Sequence, residues 1–211
     1  SSELQTITNK KNVFSAVLRV ENGDGDFSWT GAAGDMQADS RYFIASVTKL
    51  YVTAVIMRLI EEQRLSLDDS IAKYLPEEDM RGLHVLKEVE YSYQITIRHL
   101  ISNTSGLPDY FFHTQPDGKT AASRLLEGVD QSWHFEQTIS TVKKLKPNFK
   151  PGKKGKAAYS DTNYQILGKI IETLTGRTIG EVFKTYIFDV LDLRNTYVYQ
   201  DVNDNSPVPF Y

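Results

Sequence analysis

The chain has no cysteine among its 211 residues. Disulfides, thiolate nucleophiles and cysteine-ligated metals are therefore excluded, and the absence suits an exported bacterial protein. Long apolar runs are missing too: none reaches the ~18 residues that a membrane-spanning helix needs. Histidine is scarce. His84, His99, His113 and His134 show no His-x-x-x-His spacing, so a metal hydrolase is a poor reading and neither metal nor cofactor is expected. There is no G-x-S-x-G elbow, which counts against an α/β-hydrolase, and no phosphate-cradling loop. Positive charge is not in excess either. Lys and Arg number 24 against 27 Asp and Glu, a net charge of -3, so no nucleic-acid partner is expected. The densest basic cluster, 143–156, is broken by Pro147, Pro151 and Gly152 and reads as a solvated loop. The chain begins at Ser1 and not at Met, which fits a cleaved leader or a trimmed chain.

What is present suits one domain over 1–211 with a real core. Residues 13–20 and 27–30 flank a Gly- and Asp-rich stretch and predict two antiparallel strands joined by a turn. From Thr48 to Gln63 there is no Gly or Pro. Leu50, Val52, Ala54, Val55, Ile56, Leu59 and Ile60 make this helix apolar nearly all round, the pattern of a buried helix. A shorter helical segment is expected over 67–75, ending at Pro76. Thr96 can cap a helix over Ile97 to Ser102, and residues 111–135 read as loop. Ile166, Leu167, Ile170, Ile171 and Leu174 recur at helical spacing before a stop at Gly176, and a short helix follows over 179–188. The tail 201–211 reads as irregular. Two strands alone make no stable sheet, so the sheet is begun and not completed.

The chemistry centres on Ser46-Val47-Thr48-Lys49. Residues three apart share a helix face, so Lys49 can set its amine beside the Ser46 hydroxyl. If burial and neighbouring positive charge keep that amine neutral, it can take the serine proton. At a helix start, the Ser46 backbone N–H is expected to face the positive end of the dipole, ready to hold an oxyanion. The pattern recurs at Ser70 to Lys73 and Ser140 to Lys143. Only Ser46 lies between an apolar approach and a long helix; elsewhere a helix cap with a surface lysine explains it. Tyr159-Ser160-Asp161 is the second candidate: a phenol near Lys49 could act as base and then return its proton. Packing is the plainer reading of that tyrosine taken alone.

These motifs and the text between them resemble one family. Phe43 to Lys49, Leu67 to Ile71 with Tyr74-Leu75-Pro76, and Ile97 to Pro108 carry the likeness. So do Phe149 to Gly152, Tyr159 to Asp161, Asn163 to Gly168, Thr175-Gly176 and Ile187-Phe188. Four blocks in this order resemble the serine β-lactamase (class C) and penicillin-binding-protein family, which includes D-alanyl-D-alanine carboxypeptidases and related esterases. The resemblance implies an α/β (α+β) β-lactamase/transpeptidase-like fold: an antiparallel sheet flanked by helices, with a helical subdomain, about 67–175, inserted between strands. It implies Ser46 as acylated nucleophile, Lys49 as its proton partner and Tyr159 as general base and acid. Asp161 and Tyr110 would contact a small-molecule or peptide substrate: a β-lactam, a D-amino-acid peptide or an ester.

Two departures matter. Asp161 stands where the family usually has Asn. A carboxylate there should repel anionic acyl groups, suit a substrate amine and raise the Lys49 pKa; alternatively it caps the following helix. The Lys-Thr-Gly or His-x-Gly strand is absent after Tyr159, so the chain reads as C-terminally truncated and open to self-association through an exposed sheet edge. The expected function is a serine hydrolase forming an acyl-enzyme on Ser46. The alternative is a non-catalytic penicilloyl-binding sensor or scaffold.

Overall fold

A computed structural model describes residues 2–115, 117–128 and 133–199, which fall into two compact units divided after Ser46 and after Thr196. In the smaller unit, strands β1 (Ser15–Glu21) and β2 (Ser28–Gly34) pair antiparallel, from Ser15 opposite Gly34 to Glu21 opposite Ser28. Helix α1 (Ser2–Thr8) packs on this hairpin through buried Leu4. The expected strands are present. Phe43 and Tyr199, both in this unit, meet edge to face with ring centroids 5.0 Å apart. The irregular tail expected over 201–211 lies outside the described residues.

The larger unit is mostly helical. Its elements are α2 (Thr48–Glu61), α3 (Glu77–Met80), α4 (Ile97–Ile101), α5 (Ala121–Leu126), α6 (Phe135–Val142), α7 (Asp161–Thr175) and α8 (Ile179–Phe183). A two-residue hairpin, β3 (Val85–Leu86) with β4 (Val89–Glu90), and a π-helical turn (Lys184–Phe188) complete it. Helix α7 is central: α2, α4, α6 and α8 all pack on it. Its buried Ile166, Leu167, Ile170 and Ile171 form the stripe that the spacing predicted, and Gly176 ends it at φ 67°. Tyr51, Phe183 and Phe188 cluster at ring separations of 5.6 to 6.1 Å and join α2 to α8 and the π turn.

Several expectations are corrected. Helix α2 is not apolar-buried all round. Val52, Val55, Ile56 and Leu59 form one buried stripe, whereas Leu50 is 68% exposed and Met57 also faces out. The 3.6-residue period puts those two on the opposite face. Residues 67–75 form only a 3₁₀ turn at Ile71–Lys73. There Ser70 is extended and bridges to Thr96, Ile71 N–H donates to Ile95 O, and the Ser70 hydroxyl donates to Tyr93 O. Bonds to the 93–96 strand-like segment displace helical ones. Within 111–135, expected as loop, α5 forms behind Thr120, whose side chain accepts from Ser123 N–H. The Thr96 cap is present, and His99 completes it by accepting from Thr96 N–H through Nδ1 at 3.2 Å.

The exposure pattern of α2 gives a direct test. Leu59→Ala, at a fully buried position, is expected to cost about 2–5 kcal/mol on chemical denaturation. Leu50→Ala should stay within about 0.5 kcal/mol. Equal losses at both positions contradict the one-sided burial.

Candidate active site

The frame of the site is a buried polar lattice between the loop after α4 and the head of α7. Asn103, at φ 55°, uses its side-chain oxygen to accept from Ser160 N–H at 3.3 Å and from Asn163 Nδ2 at 2.9 Å. Ser105 Oγ donates to Asn163 Oδ1 at 2.7 Å. Ser160 and Thr162 hydroxyls both donate to Pro108 O, at 3.1 and 2.8 Å. Gly106 must be glycine, since at φ 74° a Cβ would fall 1.9 Å from Phe149 O.

Asp109 carries the most strategic of these bonds. One of its oxygens accepts from Phe111 N–H and Phe112 N–H at 2.7 and 3.0 Å; the other accepts from Asp161 N–H at 2.9 Å. Ser160 precedes α7 and gives no side-chain cap, so the orphan N–H at the helix start is satisfied from outside. That frees the Asp161 carboxylate. It meets the Lys49 ammonium at 2.5 Å and accepts from the Tyr159 hydroxyl at 3.1 Å. Asp161 therefore faces Lys49 and does not cap its own helix.

Lys49 Nζ also lies 5.1 Å from the Tyr159 ring centre and 5.5 Å from that of Tyr164, within cation–π range. Lys49 and Asp161 side chains are 18% and 15% exposed, whereas Tyr159 is half exposed. Burial pulls the Lys49 pKa down most strongly, but hydrogen bonds to Asp161 and Tyr159 and their charges more than offset it, and the net shift is upward. The neutral amine considered for Lys49 is thus corrected: the Asp161 carboxylate and Tyr159 favour its charged form.

Ser46 is exposed and lies in a 3₁₀ turn, Ala45–Val47, which runs directly into α2. Ala45 before it adopts φ 44°, a conformation unusual for a residue with a Cβ. Tyr110 is buried, and its hydroxyl accepts from Gln165 Nε2 at 3.3 Å. Burial pushes its phenol pKa up. Of the other two Ser-x-x-Lys serines, Ser70 has a structural duty, bonding to Ala72 N–H and Tyr93 O, and Ser140 lies exposed on α6. The sequence reading missed Asp109, Asn103 and Asn163 as organisers. A signal existed for Asp109, because an Asp after Pro108 in a turn is placed to accept from the backbone two residues on. Among the described residues no cluster of His, Asp or Glu could hold a metal, and no helix is long and apolar enough to cross a membrane.

The β-lactamase family model matches residues 9–208. The chain belongs to that family. A Salmonella agona relative with the provisional name D-alanyl-D-alanine carboxypeptidase is 29% identical over 160 residues, which is 75% of this chain and 34% of the relative. Among solved structures, a D-stereospecific amidohydrolase from Streptomyces sp. matches at 30% identity and TM-score 0.75, over 92% of this chain and 54% of that one. The D-amino acid amidase of Ochrobactrum anthropi SV3, at 20% identity and TM-score 0.70, shares the fold over 90% of this chain and 48% of its own. The β-lactamase/transpeptidase-like fold is thereby established. This chain spans about a third of that curated relative and about half of those solved chains.

Because Asp109 ties two segments, Asp109→Ala should lower stability by about 1–3 kcal/mol, the cost of stranding buried backbone N–H groups. A melt superimposable on the parent protein's shows that the lattice holds without it.

Proposed function

We propose that this family member is part of a serine hydrolase in which Ser46 is acylated by an amide, β-lactam or ester. The observation that carries the reading is the grouping of Lys49, Tyr159 and Asp161 at the head of α7, with Lys49 one helical turn along from Ser46. Tyr159 first gives its hydroxyl proton to solvent, and the charged Lys49 steadies the phenolate that is left. Ser46 Oγ then attacks the carbonyl carbon while that phenolate accepts its proton. The backbone N–H of Ser46 at the helix start offers one oxyanion donor. As the tetrahedral adduct collapses, Tyr159 returns the proton to the leaving amine or alkoxide, and water then releases the acyl group by the same steps. Asp161 orients Tyr159, holds Lys49 charged, and suits a substrate amine over an anionic acyl group. Together with the names of the amidohydrolase and carboxypeptidase relatives, this favours a D-amino-acid amide or peptide, and Tyr110 borders its position.

The Lys49–Asp161 ion pair also favours a second reading: a penicilloyl-binding sensor that is acylated and releases slowly, because its lysine is a poor base. Full-length protein treated with a fluorophosphonate or a penicillin is expected to gain one adduct on Ser46, by mass spectrometry, and Ser46→Ala none. Modification of Ser70 or Ser140 instead overturns the assignment. Turnover of an ester separates hydrolase from sensor.

Asp161→Asn removes the carboxylate that raises the Lys49 pKa. The lysine then titrates lower, and because its charged form is the working one, the alkaline limb of kcat/KM against pH moves to lower pH. Unchanged limbs would mean that Asp161 has no part in the protonation chemistry.

A further inference from the structure

Tyr164 stands beside Lys49 and has no part in the chemistry proposed above. It lies three residues after Asp161 in α7, and on a helix that spacing puts two side chains on one face. Both reach the same lysine. The Asp161 carboxylate pairs with Lys49 Nζ, which also lies over the Tyr164 ring, 5.5 Å from its centre. The Tyr164 hydroxyl is engaged elsewhere, donating to Ile101 O at 3.4 Å at the end of α4. What this half-buried tyrosine offers the ammonium is therefore its ring.

A ring suits the task better than a second anion. Lysine is a point charge on a flexible four-carbon stem, and one carboxylate contact leaves that charge able to swing. A second carboxylate would hold it but would take another of its three N–H donors. An aromatic face attracts the charge through its quadrupole and leaves those donors to Asp161 and to the Tyr159 oxygen. We infer that Tyr164 is a positioning residue: its ring face holds the Lys49 ammonium between the Asp161 carboxylate and the Tyr159 oxygen that it must steady. Asp161 and Tyr159 act on the ammonium through hydrogen bonds and charge, and Tyr110, which feels Lys49, Asp161 and Asp109, borders the same group. The service of Tyr164 to catalysis rests on the function proposed above, whereas its hold on the ammonium stands without it.

The test compares full-length protein with Tyr164→Phe, which keeps the ring, and Tyr164→Leu, which removes it. NMR titration of isotope-labelled lysine, with the Lys49 signal assigned through Lys49→Met, should give a lower Lys49 pKa in Tyr164→Leu and an unchanged one in Tyr164→Phe. For an ester substrate, Tyr164→Leu should lower kcat/KM about threefold to tenfold and move its alkaline limb to lower pH, and Tyr164→Phe should match the parent. Fluorinated phenylalanines placed at 164 by stop-codon suppression keep the shape while draining the negative face of the ring. The Lys49 pKa should fall with each added fluorine, a trend that misfolding does not produce. A Lys49 titration indifferent to fluorination, or a loss shared equally by Tyr164→Phe and Tyr164→Leu, overturns the assignment and leaves Tyr164 as packing. The fluorine trend with no Ser46 acylation in the parent keeps the hold on the ammonium and defeats the hydrolase. Acylation and turnover with no fluorine trend do the reverse.

Discussion

The larger unit depends on one constraint: the polar groups that close the loop 103–110 onto the start of α7 are buried and must all be paired. Asn103, Ser105 and Asp109 supply that pairing through Ser160, Asn163 and the Asp161 N–H. A buried network of this kind is worth having only if complete, since each orphaned member would cost its full desolvation. Its completeness fixes where α7 begins. Because α2, α4, α6 and α8 pack on α7, it also fixes the frame on which Lys49 is carried toward Asp161.

The electrostatics follow from that frame. With the helix start capped by Asp109, the Asp161 carboxylate has Lys49 and Tyr159 as partners. Had Asp161 capped α7 itself, Lys49 would lose the hydrogen bond that does most to offset the downward pull of burial on its pKa. The carboxylate that raises the lysine pKa thus has its own backbone N–H held by Asp109.

Much of this was legible in the sequence and some was not, for physical reasons. Helix α7 with its Gly176 stop, the Thr96 cap, and the pairing of Asp161 with Lys49 follow from period, capping chemistry and charge, all of which act over a few residues or were carried by motif. Helix α6 was within reach, since Phe135, Ile139 and Val142 recur at helical spacing. Helix α5 was hidden because its capping box is closed by Ser123 rather than by Glu or Gln. Residues 67–75 misled because their helical pattern is overridden by pairing with 93–96. For Asp109 only the local bonds to Phe111 and Phe112 had a signal, since its other partner, the Asp161 N–H, lies far along the chain.

That separation has a consequence for how the protein is put together. The bonds joining 103–109 to 160–163 span 52 to 60 residues, so they cannot form until the whole intervening stretch has looped back. The grouping of Lys49, Tyr159 and Asp161 is then among the later features to assemble during folding, after helices built from local contacts. Closure entropy grows only with the logarithm of loop length, about 0.6 kcal/mol for each doubling. The stretch between the two anchors can therefore gain or lose many residues across descendants of this sequence while the lysine, tyrosine and aspartate keep their places.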